Sequence, residues 1–387
     1  MKRLILVASL GGCGFGVNST EVPRDGSPVT DGTSMVDGAL PIDAKGQPLD
    51  AQLCIGRGLI QVCVTVEPTN TLTPTGMIDT SSASNCTVRP FLGGIEQCAI
   101  IARNININST VLAIGSRPLI LVATDDISIT AAGTLDASSR FGVRKGAGTG
   151  LGGCGALKPA EDDSGGGGGG GGGGFGTSGG DGGTGDADDN GAGDDALGGG
   201  GGGVVTASGL RGGCSGSKGG AAGGNLGGLG GEGGGGVYLI AGRKLTVDGN
   251  VFASGAGGGA NNDNSGAEQG GGGGGSGGMI GLDAQMVAVS GFVVANGGAG
   301  GGGGGANGGG KPGTDGTTLL FSDRALGGDP GTGNAGRGAD GTALNKLDTL
   351  TPAEANGGGG GGAGGLGFVR IDGSLSGNGQ ISPPPSR

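Results

Sequence analysis

The chain has no histidine and no tryptophan, its aromatic content is 2%, and hydrophobic residues reach only 33% over 387 positions. Without histidine there is no imidazole general base, no Ser-His-Asp triad and no His-ligated zinc. With so few large apolar side chains, long parts of the chain cannot build a conventional core. Positive charge is also short. The 22 Lys plus Arg against 33 Asp plus Glu leave a net charge of −11, which repels phosphate backbones and anionic headgroups, so no nucleic acid is expected as a partner. The phosphate-loop pattern is missing: Lys218 and Lys311 follow glycine-rich stretches but are trailed by Gly219 and Pro312 in place of Ser or Thr.

What is abundant is glycine, at 111 residues. Collagen is excluded, because the tracts have no strict G-X-Y period and the chain has only 15 Pro. Matches to G-x-G-x-x-G recur as they must at this composition; none follows a strand and opens a helix, so they carry no information.

Between the tracts lies a repeat. KLTVDGNVFASGAGGG (244–259) and MVAVSGFVVANGGAGG (286–301) agree position for position: Leu245 with Val287, Val247 with Val289, Gly249 with Gly291, Val251 with Val293, Ala253 with Ala295. Extended backwards, Val237 and Leu239 match Met279 and Gly281. The unit is about nineteen residues long. Further copies are 63–81 (Val64, Val66, Leu72, Pro74, Gly76, Ile78, Thr80) and 118–139 (Leu119, Leu121, Ala123, Ile127, Ile129, Leu135, Ala137), with looser ones at 98–115 and 367–382. Short β-branched runs with period-2 alternation and Gly or Asx corners read as strands, and nothing carries a helical period. One unit alone buries almost nothing. Stacked, the units place Val, Leu and Ile over one another about 4.8 Å apart, giving an all-β parallel solenoid of about six coils. These units resemble right-handed parallel β-helix proteins, a resemblance that implies a fold and no activity.

The tracts leave the coil at one recurrent place, after the small residue that closes a unit: 140–236, 256–278 and 298–366. The expected organisation is a leader at 1–13, a polar tether at 14–50 and disulfide-bearing first coils at 51–139. A glycine-rich insertion follows at 140–236, coils interrupted by a glycine loop at 237–297, a second insertion at 298–366, and a last coil with tail at 367–387. Entropy favours disorder for the tracts, and the run of glycines at 165–174 points the same way. The alternative is a set of packed polyglycine II rods, which approach closely because they lack side chains.

MKRLILVASLGGC begins with Lys2 and Arg3 and an apolar run far too short to span a bilayer. It reads as an export signal. LGGC at 10–13 resembles the lipobox of bacterial lipoprotein signals, which implies Cys13 as a lipid anchor to the cell envelope and an outer-membrane, cell-surface or extracellular location. The six remaining cysteines suit disulfides in an exported chain, and sequence neighbours pair most simply: Cys54 with Cys63, Cys86 with Cys98, Cys154 with Cys214. No C-x-x-C pair exists, so a thiolate metal site is not expected.

DADDNGAGDDAL (186–197) places Asp186, Asp188, Asn190 and Asp194 at calcium-loop spacing, with Leu197 where such loops carry Glu. It is a candidate weak calcium site, against a plain reading as a solvated acidic loop; no other cofactor is expected. Arg243, Lys244, Asp248 and Asp283 sit at corners of single units with no matching charges on the units beside them, too thin a constellation for catalysis. The composition is similar to PE-PGRS-type and other glycine-rich bacterial surface proteins. The function read from the sequence is a non-enzymatic surface or extracellular display protein, with an extracellular polysaccharide or protein as possible partner. The alternative is a calcium-dependent β-helix that binds or cleaves polysaccharide, and a third reading is an ice- or surface-binding protein built on polyglycine II rods.

Overall fold

A computed structural model of the protein describes residues 53–386 apart from 89, 93, 187–194, 207–208, 261–267, 317–323 and 344–354. The chain divides into the units Met1–Asp50 and Ala51–Arg387, and all described residues belong to the second. The leader, Cys13 and the tether lie outside them.

The described residues form an all-β structure without an α-helix. Strands β1 (Leu53–Ile55) and β2 (Val62–Val64) make an antiparallel hairpin, followed by β3 (Thr71–Leu72) and β4 (Gly76–Asp79). A second antiparallel ribbon joins β5 (Phe91–Leu92) to β6 (Ile95–Glu96). The chain then repeats one path: β7 (Cys98–Ala102), β8 (Asn104–Ile107) and β9 (Thr110–Ile114), then β10 (Leu119–Ala123), β11 (Asp126–Ile129) and β12 (Thr134–Asp136). It continues through β13 (Gly236–Ala241), β14 (Lys244–Val247) and β15 (Asn250–Phe252), then β16 (Met279–Val289) and β17 (Phe292–Val294), and ends with β18 (Phe368–Ser376) and β19 (Gln380–Ser382). Equivalent strands pair in parallel, in the orders β3-β8-β11-β14-β16 and β7-β10-β13-β16-β18 on one sheet and β4-β9-β12-β15-β17-β19 on the other. This is the β-solenoid-like arrangement that the repeat implies. Its core is made of stacked ladders such as Ile105–Ile127–Leu245–Val287 and Val111–Leu135–Val251–Val293, all essentially without exposure.

Two sequence alignments need correction. Val237 and Leu239 pair with Ile280 and Leu282, one residue away from Met279 and Gly281. The corner Ala241–Arg243 is replaced in β16 by only Ala284 and Gln285, so the sheet runs on where the earlier coil turns, and a one-residue slip flips every side chain. Val64 and Val66 are not part of the stack: Val64 belongs to the antiparallel hairpin tied by Cys54–Cys63, and Val66 is 79% exposed.

The glycine tracts are ordered, which reverses the entropic expectation. They run as extended rods that continue from strand ends: residues 253–259 leave β15, 268–278 lead into β16, 297–304 leave β17 and 357–367 lead into β18. In the rod at 268–278 every N–H from Gly270 to Gly278 donates to a neighbouring backbone carbonyl at 2.7–3.0 Å, rotating every three residues among the rods at 357–367, 253–259 and 212–220. Every carbonyl from Glu268 to Ser276 accepts in turn from 167–173, 298–304 and 228–234. A threefold rotation of donors with extended backbone is the polyglycine II geometry. A Cβ added at Gly272 would lie 2.1 Å from the Leu229 carbonyl oxygen, and at Gly274 2.2 Å from that of Gly298, so the spacing admits no side chain.

Candidate functional site

The rods meet the solenoid through a second apolar cluster. Ala99, Ile120, Val122, Tyr238, Ile240 and Met279 point out of the sheet and are covered by Phe175, Leu210 and Cys214 from the rods and by Ile55, Ile60 and Val62 from the first hairpin. Phe175 ends the polyglycine run at 165–174, packs edge-on against Phe368 at 4.8 Å and lies under the Arg211 guanidinium at 5.5 Å. Burial lowers the Arg211 pKa. The disulfides join Cys54–Cys63, Cys86–Cys98 and Cys154–Cys214, the pairs expected from sequence proximity; the last joins cysteines sixty positions apart.

Where the hairpin crosses the sheet, it covers a cluster of polar side chains. Cross-strand pairing puts Tyr238, Gly281 and Arg370 in one row, and Ile240, Asp283 and Asp372 in the next. Because Gly281 has no side chain, the Tyr238 ring lies across it; a Cβ there would be 2.0 Å from a ring carbon. The Tyr238 hydroxyl donates to Asp372 Oδ2 at 2.8 Å and accepts the Leu59 N–H at 3.2 Å. Arg370 holds the same carboxylate through Nε and Nη2 at 2.8 and 2.9 Å. Asp283 Oδ2 accepts the N–H groups of Arg57 and Gly58 at 2.7 and 2.8 Å, while its Oδ1 is buried without a partner. Gly58 must be glycine for this approach, since a Cβ would sit 1.8 Å from Asp372 Oδ2.

The electrostatics follow from that burial. Desolvation raises the Asp283 pKa against the two backbone donors, with the neighbouring Asp372 charge acting in the same direction as burial. Burial and the Asp372 hydrogen bond push the Tyr238 hydroxyl far above the ordinary tyrosine value. A carboxylate clamped by arginine, a tyrosine that cannot ionise and an aspartate spent on backbone N–H groups form a latch for the hairpin. An apolar cavity of about 330 Å³ opens beside the latch, lined by Leu59, Val205, Met279, Phe368 and Arg370 among others.

Among the candidates from sequence, Cys13, Asp188, Asn190 and Asp194 lie outside the described residues. Asp186 is described: it adopts φ 48°, and its N–H donates to the Gly357 carbonyl at 3.0 Å, at the edge of the rod lattice. No group of three or more Cys, Asp or Glu among the described residues is arranged to hold a metal ion. Of the corner charges, Arg243 does have oppositely charged partners on the adjoining coil, contrary to expectation. Arg103 pairs with Asp125 at 2.9 Å, Arg243 reaches Asp125 at 3.5 Å and Asp126 at 2.8 Å, and Asp283 lies beside Asp372. Hydrogen bonding to Arg103 lowers the Asp125 pKa. The arginine–aspartate pairs among them form partly exposed ladders across coils, a structural use of charge worth little individually.

A buried polar ladder marks the corner where rods leave the coil and was not anticipated. Ser138 Oγ accepts the Ser254 N–H at 3.0 Å, Ser254 Oγ accepts the Asn296 N–H at 3.3 Å, and Ser382 Oγ donates to Asn296 Oδ1 at 2.6 Å. The available signal was positional in three units: a small polar residue directly after the closing alanine, in Ala137-Ser138, Ala253-Ser254 and Ala295-Asn296. No protein-family model, curated protein or solved structure matches the chain.

Proposed function

We propose that the protein is a non-enzymatic, exported structural or display protein. A right-handed β-helix of about six coils is the scaffold, and the glycine insertions, emerging on one side of it, are the body presented. Cys13 supplies the anchor to the cell envelope. The observation that carries the reading is the rod at 268–278, whose backbone groups are consumed one by one by six neighbouring rods. Such a lattice spends its glycine on shape, and among the described residues this rod buries only the side chains of Gln269 and Ser276 in place of glycine hydrogens. Three disulfides are compatible with an exported protein, and no described helix is long and apolar enough to cross a membrane.

Metabolic labelling with a radioactive fatty acid, with and without Cys13→Ser, tests the anchor. Protease shaving of intact cells tests the display. Label that depends on Cys13 together with cleavage at the cell surface is expected; an unlabelled protein retained inside the cell would overturn the reading. The calcium-dependent polysaccharide reading keeps one observation in its favour, the left-handed backbone of Asp186 at the mouth of the acidic loop. Calcium-dependent protection of residues 181–196 from proteolysis, with retention on an acidic polysaccharide, would replace display by binding.

A further inference from the structure

A parallel solenoid has two ends, and each leaves a strand edge able to pair with another chain. At the first end, the edge of β7 is closed by an antiparallel crossing: Thr87 N–H donates to Ala99 O at 2.8 Å and Ala99 N–H donates to Val88 O at 3.0 Å. The Cys86–Cys98 disulfide pins that segment in place. At the other end, β18 is closed differently. Ser386 forms a parallel bridge with Arg370: its N–H donates to Val369 O at 2.9 Å, and Ile371 N–H donates to its carbonyl at 3.0 Å. Ser382, 1% exposed, anchors the start of this segment on Asn296.

Between those serines stand Pro383, Pro384 and Pro385. Proline has no N–H, so the outer side of the segment cannot donate to a further strand. The segment occupies the place of a next strand and ends the ladder there. It covers only part of the edge: residues 373–376 of β18 are exposed.

The uncovered part carries a residue of interior type. Leu375 ends the ladder Leu72–Ile105–Ile127–Leu245–Val287–Leu375, whose middle members are 0–1% exposed, whereas Leu375 is 40% exposed. The opposite end of the same ladder is Leu72 on β3, only partly buried, with Met77 on β4 62% exposed nearby in the chain. The two ends have the strand direction and inward pattern of adjoining coils.

We propose that the last rung of the solenoid is a docking edge for a second copy of this chain, β18 of one against β3 of the next, and that the Ser382–Ser386 segment, seated in the next-strand place over residues 369–371, blocks a further coil from stacking there. Contact between unlike ends is heterologous and does not close on itself, so release of the segment produces open, growing assemblies.

The test uses the full chain carrying Cys13→Ser, so that no acyl chain drives association. Ser386→Pro removes the N–H that holds Val369 O, and a chain stopped at Ser382 removes the cover altogether. Light scattering after size exclusion is expected to give one-chain mass for the parent. Both variants should give at least a doubling of mass that rises with concentration, with the circular dichroism spectrum retained. Adding Leu375→Lys to either, a charge on the edge, should return the mass to one chain. Folded variants that stay at one-chain mass would overturn the proposal, and so would association indifferent to Leu375→Lys. A parent that already forms the same assemblies would dispose of the closing role.

Discussion

The solenoid and the glycine bundle hold together by opposite means. In the solenoid, interior ladders of Val, Leu and Ile are removed from water, each buried side chain contributing about 1.5–3 kcal/mol, and hydrogen bonds run mainly along the stack. In the bundle there is almost nothing apolar to bury, and backbone groups bond outward in three directions. A net gain of about 0.5–1.5 kcal/mol per hydrogen bond meets an ordering cost of about 1–2 kcal/mol per residue, and glycine lies at the costly end. Rods of this kind are marginal by themselves. The difference teaches why each tract is joined to a strand: strands fix the ends of the rods, and Cys154–Cys214 and the Phe175 plug fix their sides.

The comparison breaks most sharply at the centre of the bundle. Gly272→Ala would push a methyl group to 2.1 Å from the Leu229 carbonyl oxygen, against backbone of Gly228 and Leu229 that cannot rotate away. Over-packing a side-chain core costs about 1–3 kcal/mol. Here the neighbouring rod must also move and loosen hydrogen bonds worth about 1 kcal/mol each, so a loss of about 5 kcal/mol is expected in denaturant unfolding. Amides of the rods should exchange before those of β11 and β14. A loss below about 1 kcal/mol would mean that the rods are not in contact.

Next in size is the staple. Replacing Cys154 and Cys214 by serine releases a loop whose closure is worth about 4 kcal/mol in the chain-entropy model. Hydrogen exchange should register the loss in the rods while the solenoid ladders keep their protection. Equal loss in both regions would show that they unfold as one body.

These two regions were unequally legible from sequence. Period-2 alternation with a fixed repeat identified Ile127, Ile129, Leu135, Leu245, Val247, Val251 and Val293 as interior, because a side-chain core writes itself in side chains. The match of Val237 and Leu239 failed by one residue because a corner shortened in β16, a change of backbone path that leaves no mark in the alternation. The rods were legible only as the alternative to disorder, for a deeper reason: their lattice is built from groups that every residue has, and glycine is required only by what lies opposite. The latch was half legible. Tyr238 is the only tyrosine of the chain, but its place over Gly281, and the meeting of Asp283 with a hairpin more than two hundred positions earlier, depend on tertiary pairing.

A smaller effect separates the latch from both regions by its pH dependence. The folded-state pKa of Asp283 is raised, so folding favours its neutral form: the penalty is absent below the ordinary aspartate value of about 4 and grows as pH rises from there to the raised value. Each unit of elevation amounts to about 1.4 kcal/mol lost at higher pH. Melting temperature should therefore fall across that window, and Asp283→Asn should flatten the slope there. Asp125 has a lowered pKa and acts in the opposite sense, its stabilisation being lost as pH falls below 4. An unchanged slope in the Asn variant would mean that Asp283 ionises freely beneath the hairpin.

The smallest expected effect is the most discriminating control, because it repeats the first substitution where the lattice ends. Gly203 lies at the edge of a rod, with nothing within 4 Å of a Cβ built on it and no left-handed φ. Alanine there meets no carbonyl, and it narrows the conformations open to the unfolded chain, which stabilises by about 0.4–1 kcal/mol where the native backbone is compatible. Gly203→Ala should therefore leave the unfolding midpoint unchanged or slightly raised, while Gly272→Ala lowers it steeply. If both glycines respond alike, the steric account of the bundle fails: the rods would then need glycine for its backbone freedom everywhere, and close approach of neighbouring chains would not be what selects it.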